Sequence, residues 1–239
     1  MLARLLDPGI KGLMADIVPV GVEVAQSTCD VSSGATDREL ESLGWAVPAR
    51  RAEFVTGRAL ARKVLSAVGA PSTDLVRTSS GAPAWPQGFT GSITHCSGFR
   101  AAAVAARRDV RALGIDAEPH RPLADELVNA IATPGERRGW PTDPGLWPET
   151  VAFSAKEAAC KALYGLGASL LDFAQLRIEL RGLCRLGEGA WRGRFDARLH
   201  RTRQAPGLPA DVTGRWLVTD SLVFTAVVLE TAAGMGRCA

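Results

Sequence analysis

The stretch Leu113-Gly-Ile-Asp-Ala-Glu118 is the most informative part of this 239-residue chain. Its apolar residues predict a strand, and side chains alternate between the two faces of a strand. Asp116 and Glu118 should therefore point the same way. Neighbouring carboxylates repel each other unless a cation lies between them, and Mg²⁺ prefers such oxygen ligands. The segment predicts a strand that carries either an ordinary solvated acidic face or a metal site.

A second segment of interest, Phe153-Ser-Ala-Lys-Glu-Ala-Ala-Cys-Lys161, has a helical pattern. Ser154 and Glu157 have the spacing of a capping box, which predicts that a helix begins here. Glu157 and Lys161 are spaced i, i+4, as in a surface ion pair. Lys156 and Lys161 are also two of only four lysines in the chain. Near a helix N-terminus they would suit a phosphate, so a structural and a functional interpretation both stay open.

A third segment, Gly91-Ser-Ile-Thr-His-Cys96, ends an apolar run with a histidine. A single histidine is more often structural than functional. However, the hydroxyl groups of Ser92 and Thr94 next to His95 form a cluster of hydrogen-bonding groups that would suit a phosphate.

The remaining chain mixes helical and strand-like patterns without a regular alternation of the two, which predicts the α+β class. Residues 79–91, rich in glycine and proline, are expected to form a loop. Helices are expected at 36–47, 49–68, 123–132 and 153–165, and strands at 92–94, 101–106, 112–117, 176–180, 215–218 and 222–229.

Composition excludes several classes of protein. A formal charge of +3 is too small to indicate a nucleic-acid-binding protein, and 46% hydrophobic residues are ordinary for a globular chain. No apolar run is long enough for a membrane span or a secretory signal. The five cysteines form no CxxC pair, which argues against a zinc site and a disulfide framework. We therefore expect a cytoplasmic protein with reduced thiols and neither a membrane nor a nucleic-acid partner.

Taken together, the three segments resemble the Sfp/EntD-type 4′-phosphopantetheinyl transferase family in their order and separation. The matching stretches are GSITHC at 91–96, GIDAEPH at 114–120 and FSAKEAACKA at 153–162, and ARRAEFVTGRALAR at 49–62 is similar to the amino-terminal motif of the family. The resemblance implies two similar α+β halves, related by a pseudo-twofold axis, with coenzyme A bound between them. We place the halves at 1–113 and 114–239.

The resemblance also implies the reaction. A monomer would transfer the 4′-phosphopantetheine arm of coenzyme A to a serine of an apo acyl or peptidyl carrier protein and release 3′,5′-ADP. Carried over by position, Glu157 would accept the serine proton and Lys161 would stabilise the departing ADP, or the two roles would be shared. The implied Mg²⁺ ligands are Asp116, Glu118, Glu157 and the carbonyl of Ala117 or a water. The implied catalytic residues are Asp116, Glu157 and Lys161, and those for coenzyme A are Arg50, Arg58, Thr94, His95, Lys156 and Lys161.

One position departs from the pattern of the family. Many relatives carry a lysine just before the Gly-x-Pro that is Gly81-Ala-Pro83 here, whereas this chain has Ser80. The departure predicts weaker coenzyme A binding, unless Arg77 supplies the missing phosphate contact. Two alternatives remain at this point: a metal-dependent phosphoesterase and a non-catalytic module that binds coenzyme A. The motifs indicate a carrier protein as client but do not distinguish siderophore, polyketide, peptide and fatty-acid synthases.

Overall fold

A computed structural model describes residues 13–168, 171–199 and 207–232. Its helices are α1 (Asp37–Leu43), α2 (Pro48–Ala67), α3 (Asp125–Ile131), α4 (Pro134–Arg137) and α5 (Pro148–Gly165). Its strands are β1 (Glu23–Ser27), β2 (Phe89–Cys96), β3 (Phe99–Ala106), β4 (Val110–Pro119), β5 (Leu176–Gly187), β6 (Ala190–Leu199), β7 (Asp211–Val218) and β8 (Leu222–Glu230).

The first layer of the fold is a three-stranded antiparallel sheet in the order β1-β3-β2, covered by helix α2. The apolar residues of α2 recur at helical spacing, so that they form one face directed at the sheet. Leu60 and Val64 of this face are buried against Ala102 and Val104 of β3.

The second layer is a five-stranded antiparallel sheet in the order β4-β8-β7-β6-β5, covered on one face by helix α5. Small residues on α5 allow a close approach to β4. The closest point is Gly114, where an added Cβ atom would lie 2.0 Å from the carbonyl oxygen of Ala158. A glycine at this position is what lets α5 lie directly on the strand that carries Asp116.

The other face of β4 and β8 packs against the first sheet. The rings of Phe99 and Phe224 meet edge to face, with their centroids 5.0 Å apart. Strands β2 and β4 are also joined by two serine and threonine hydroxyl groups. The Ser92 hydroxyl accepts the backbone N–H of Ile115 at 3.0 Å, and the Thr94 hydroxyl accepts that of Ala117 at 3.1 Å. These bonds satisfy backbone donors on the edge of β4 that is not paired with β8.

The α+β class with two subdomains is confirmed, since each of two antiparallel sheets is covered by one long helix. The helix expected at 49–68 is also confirmed, and α1 begins with a capping box formed by Thr36 and Glu39. Within the described part of the chain, none of the helices has the length and apolar character needed to cross a membrane. The predicted division between residues 113 and 114 falls inside β4 and stays a prediction.

Three local predictions are wrong. Residues 89–91 belong to β2 rather than to a loop, and α1 ends at Leu43, where Gly44 follows at a φ of 70°. Helix α5 begins at Pro148 instead of residue 153, so Ser154 lies inside the helix and caps nothing. Proline is favoured in the first helical turn, because it has no N–H to leave unpaired there.

Candidate active site

Asp116 is the centre of the site. Its side chain is only 5% exposed and lies on the α5 face of β4, where Gly114 and Glu118 also project, because β4 is regular over this stretch. The carboxylate accepts hydrogen bonds from Thr94 at 3.0 Å on Oδ1 and from Ser154 at 2.9 Å on Oδ2. A buried carboxylate is therefore held by partners from both layers of the fold.

Helix α5 brings Glu157 and Lys161 to the same place, one helical turn apart. The Lys161 ammonium lies 2.6 Å from Oδ1 of Asp116 and 3.9 Å from Oε2 of Glu157. It also donates to the carbonyl oxygen of Ile115 at 3.2 Å. The structure thus brings together the three residues that the sequence predicts as catalytic.

The electrostatics of this cluster are dominated by crowded carboxylates. Burial raises the pKa of Glu118 to about 7, and the negative charge of Asp116 adds to the effect. Burial also raises the pKa of Glu157. Burial alone would lower the pKa of Lys161, but the Asp116 and Glu157 carboxylates outweigh it, so the net shift is upwards. Asp116 and Glu157 share the ammonium group of Lys161, and Glu118 adds a third negative charge nearby. This leaves an excess of negative charge that a divalent cation would relieve.

The carboxylates of the predicted magnesium ligands Asp116, Glu118 and Glu157 act on one another electrostatically but are not arranged as a finished metal site. Within residues 13–168, 171–199 and 207–232, no three His, Cys, Asp or Glu side chains are placed to hold a metal ion. The Lys161 ammonium occupies Oδ1 of Asp116 instead. The oxygen donors of Asp116, Glu118 and Glu157 match the chemistry of Mg²⁺, so magnesium binding, including the role of the Ala117 carbonyl, stays a prediction.

A basic cluster lies on α2 and β2, next to the acidic one. The Arg50 guanidinium contacts Nε2 of His95, and Glu53 lies 3.3 Å from both residues. Burial lowers the pKa of His95, and the charge of Arg50 lowers it further. A neutral imidazole beside an arginine is able to donate or accept a hydrogen bond when an anion arrives.

Arg58 is the most unusual member of the basic cluster. It is 4% exposed and lies over the Phe54 ring, with 4.3 Å between the guanidinium carbon and the ring centroid. Its Nε atom is buried without a hydrogen-bond partner among the described residues. The pKa of Arg58 is lowered to about 10, chiefly by burial; the charge of Glu39 opposes this shift, and those of Arg77 and Arg50 contribute to it. Such a guanidinium suits an anionic ligand. Arg62, by contrast, is paired at 2.7 Å with the buried carboxylate of Glu39.

Lys156 does not join the site. Its side chain is 1% exposed, and its ammonium lies 3.3 Å from Oε1 of Glu136 and donates to the carbonyl oxygens of Phe173 and Leu176. These three acceptors use all three of its donors. The position gives no support to a phosphate-binding role for Lys156. Thr94 also differs from the expectation, because its hydroxyl is bonded to Asp116 and to Ala117.

Comparisons with known proteins show the family to which the chain belongs. Residues 39–106 match the family model described as 4′-phosphopantetheinyl transferase N-terminal domain, and residues 112–206 match that of the 4′-phosphopantetheinyl transferase superfamily. The chain is 40% identical to the 4′-phosphopantetheinyl transferase PptT of Mycobacterium tuberculosis over 188 residues, which are 77% of this chain and 81% of that protein. It is 34% identical to Npt of Nocardia iowensis over 230 residues, 90% of this chain and 99% of the relative.

A third relative is Svp of Streptomyces mobaraensis, 39% identical over 202 residues that cover 79% of this chain and 76% of that protein. Like the other two, it is named a 4′-phosphopantetheinyl transferase. This chain belongs to the 4′-phosphopantetheinyl transferase superfamily. The functional prediction is confirmed at this level, and neither the phosphoesterase nor the binding module receives support.

Within this transferase, sequence reasoning missed several residues of the site. The spacing of Ser154 and Glu157 predicts a helix cap, but Ser154 lies inside α5. Thr225 lies in β8, whose sequence has an apolar pattern that gives no sign of a site residue. Tyr164, the last aromatic residue of α5, contacts Ser80 and Thr78 on the neighbouring loop. Tyr164 lies one residue before the end of α5, and this position was the available signal in the sequence. Its partner Ser80 is 84 residues away in the chain, so the contact itself has no local signature.

Ser80 sits at the tip of a tight turn, stabilised by a hydrogen bond from the Gly81 N–H to the carbonyl oxygen of Thr78. The same turn holds the Arg77 guanidinium against Gly81, whose φ of 88° a larger residue would rarely adopt. The charge of Arg77 acts on Arg58, so Arg77 is electrostatically part of the basic cluster.

Proposed function

We propose that this transferase moves the 4′-phosphopantetheine arm of coenzyme A onto a serine hydroxyl of an acyl or peptidyl carrier protein. The serine oxygen forms a bond to the phosphorus that bears the pantetheine arm, and the bond from this phosphorus to the bridging oxygen breaks, so that 3′,5′-ADP leaves. The observation that carries the proposal is the meeting of Asp116, Glu157 and Lys161 beside a cluster of arginines. Positioning and charge stabilisation supply most of the rate gain in phosphoryl transfer.

The acidic residues of the site fit a divalent cation. Asp116, Glu118 and Glu157 offer oxygen donors whose mutual repulsion raises the pKa of Glu118 after burial has already raised it. We propose that these three side chains hold Mg²⁺. The bound ion would neutralise the pyrophosphate and polarise the phosphorus under attack.

Proton transfer is assigned to α5. Glu157 is a suitable acceptor for the serine proton, because burial raises its pKa above that of an ordinary glutamate and makes it a stronger base. Lys161, whose pKa is raised by Asp116 and Glu157 against the effect of burial, keeps its positive charge. It is therefore suited to stabilise the charge that develops on the departing ADP.

The phosphates of coenzyme A are assigned to the basic cluster. Arg50 and His95 are in contact, and none of the described residues accepts a hydrogen bond from the buried Nε of Arg58. Arginine binds phosphate through two parallel N–H groups, which makes each contact strong and directional.

Arg77→Ala tests whether Arg77 replaces the lysine that many relatives carry at the position of Ser80. We expect the dissociation constant for coenzyme A to rise about tenfold, the size of one charge-assisted hydrogen bond. Isothermal titration calorimetry measures this dissociation constant. Arg108→Ala is the matched control, since the Arg108 side chain is 81% exposed and forms an ion pair with its neighbour Asp109. An unchanged dissociation constant for Arg77→Ala would remove the compensation.

The reaction itself is tested by following 3′,5′-ADP by liquid chromatography with coenzyme A and Mg²⁺ present. We expect ADP to appear only when an apo carrier protein is added, in an amount equal to the carrier consumed, and to stop appearing in EDTA. Release of ADP without a carrier would instead favour the phosphoesterase.

We further propose that the transferase acts as a monomer in the cytoplasm. In support of a reducing compartment, the four cysteines in the described part of the chain form no disulfide with one another: Cys29, Cys96, Cys160 and Cys184. Two relatives that match only about half of this chain are named enterobactin synthase component D. A siderophore synthase carrier is therefore a reasonable first client to try.

A further inference from the structure

Two buried hydroxyl groups donate to Asp116 and a third contacts one of these two, and each of the three comes from a different element. They belong to Thr94 on β2, Ser154 on α5 and Thr225 on β8, and we call them the hydroxyl clamp. Thr94 is 2% exposed, and the other two are fully buried. Thr94 donates to Oδ1 of Asp116 at 3.0 Å and Ser154 donates to Oδ2 at 2.9 Å. Because each carboxylate oxygen has its own hydroxyl donor, rotation of the carboxylate would break at least one bond.

Thr225 acts on Ser154 and not on Asp116 directly. It lies opposite Asp116 in the β4–β8 ladder. Its single hydroxyl proton has two acceptors within reach on Ser154, the carbonyl oxygen at 2.9 Å and the hydroxyl oxygen at 2.8 Å. Because Ser154 donates its own proton to Asp116, the hydrogen bond between the two hydroxyl groups is donated by Thr225. A serine inside a helix commonly returns its hydroxyl to the carbonyl one turn earlier. Here the hydroxyl points to Asp116 instead, and Thr225 holds it there.

The number of acceptor positions on the Asp116 carboxylate shows how many remain without a donor. An ionised carboxylate has about four lone-pair positions. Thr94 and Lys161 use two on Oδ1, and Ser154 uses one on Oδ2. Among the described residues, one position on Oδ2 therefore has no partner.

We infer that the hydroxyl clamp is a positioning device that presents this remaining Oδ2 lone pair of Asp116 to the catalytic cation. The inference rests on the proposed Mg²⁺-dependent function and assigns Ser154 and Thr225 a role in it. It also changes the role of Thr94 from a coenzyme A contact to a positioning residue. Hydrogen-bond partners of metal ligands set ligand orientation, and their loss costs about tenfold or more in metal affinity.

The clamp also connects the two layers of the fold. Thr94 precedes His95, which contacts Arg50 in the basic cluster. Adjacent residues of β2 thus face the phosphate anchors and the acidic site. A shift of β2 would move both sites together, so the clamp fixes Asp116 relative to the donor substrate as well as to the cation.

The test uses the full-length protein with coenzyme A bound and Mn²⁺ as a probe, because free Mn²⁺ is counted directly by electron paramagnetic resonance. The variants are Ser154→Ala, which removes the direct bond, Thr225→Val, which removes only the supporting hydroxyl, and Thr225→Ser, which restores it. Thr150→Val is the matched control. Thr150 is a buried α5 threonine whose hydroxyl donates to the carbonyl oxygen of Arg121, away from Asp116.

We expect Ser154→Ala to weaken Mn²⁺ binding about tenfold, Thr225→Val to weaken it less and Thr225→Ser to bind as the wild type does. The kcat for carrier modification should follow the same order. Thr150→Val should lower the melting temperature without changing Mn²⁺ affinity. The clamp is wrong if Ser154→Ala and Thr225→Val bind Mn²⁺ like the wild type, or if Thr150→Val weakens binding equally. Should the wild type bind no Mn²⁺, the proposed metal function fails together with the clamp. If Ser154→Ala does not fold, the Thr225→Val and Thr225→Ser pair decides the matter.

Discussion

Asp116→Asn is expected to lower the rate of carrier modification about a thousandfold, which corresponds to about 4 kcal/mol of lost transition-state stabilisation. The substitution removes the charge that would hold the cation. It also places an amide N–H₂ group, a donor, where only donors are available: Thr94 and Lys161 on one oxygen, Ser154 on the other. Neither orientation of the amide satisfies all of these partners.

The measurement is the initial rate of holo-carrier formation at saturating coenzyme A. Asp143→Asn is the matched control, because Asp143 accepts a hydrogen bond at 3.0 Å from the indole of Trp191, which is not one of the site residues. It should keep the wild-type rate. A folded Asp116→Asn protein that retains a rate within about tenfold of the wild type would contradict a central role for this carboxylate.

Gly114→Ala is expected to have the second large effect, because the added Cβ would lie 2.0 Å from the Ala158 carbonyl oxygen and 2.7 Å from the Ala162 nitrogen. Helix α5 would have to move away from β4 and would carry Glu157 and Lys161 with it. Overpacking of this kind costs about 3 kcal/mol, or roughly 10 °C in melting temperature for a chain of this size. A displacement of about 1 Å at the catalytic groups lowers the rate about a hundredfold.

Gly165→Ala is the natural control for this prediction. Gly165 is also at the contact of α5 with β4, but its added Cβ would meet only the Ala112 Cβ at an ordinary 3.7 Å. This variant should melt at or above the wild-type temperature, since alanine favours a helix over glycine. Differential scanning calorimetry compares the two. A Gly114→Ala protein as stable as Gly165→Ala would show that the close contact is not needed.

The parts of the site that could be predicted are those with a local signature. Alternation along β4 places Asp116 and Glu118 on one face, and the i, i+4 spacing on α5 places Glu157 next to Lys161. Neither relation needs knowledge of distant residues, because strand and helix geometry fixes them.

Other parts depend on contacts that are distant in the chain. The sequence predicts both Lys156 and Lys161 as phosphate ligands near a helix N-terminus. In the folded chain, the two side chains project from α5 into different surroundings. One is buried against Glu136 and the other meets Asp116. Ser154 fits a capping box by spacing, but the helix begins six residues earlier. Which face of a helix meets which strand is decided by packing, and the pattern of a single segment does not carry that information.

The hydrogen bonds between β2 and β4 are another feature that the sequence of one segment does not predict. The hydroxyl groups of Ser92 and Thr94, next to His95 in the sequence, predict phosphate binding. Both residues are buried polar positions on β2. In the folded chain their hydroxyls accept backbone N–H groups of β4 instead. Their role follows from an unpaired strand edge more than twenty residues downstream, and buried edge donors must find partners.

The most direct test of the account is the intact mass of a purified apo carrier protein after incubation with this chain, coenzyme A and Mg²⁺. We predict a gain of about 340 Da on the carrier, the mass of one phosphopantetheine arm, which is absent with Asp116→Asn or in EDTA. Carriers of siderophore, polyketide and peptide synthases should be tried in parallel. An unchanged mass for every carrier, from a folded protein that binds coenzyme A, would contradict the proposed transfer.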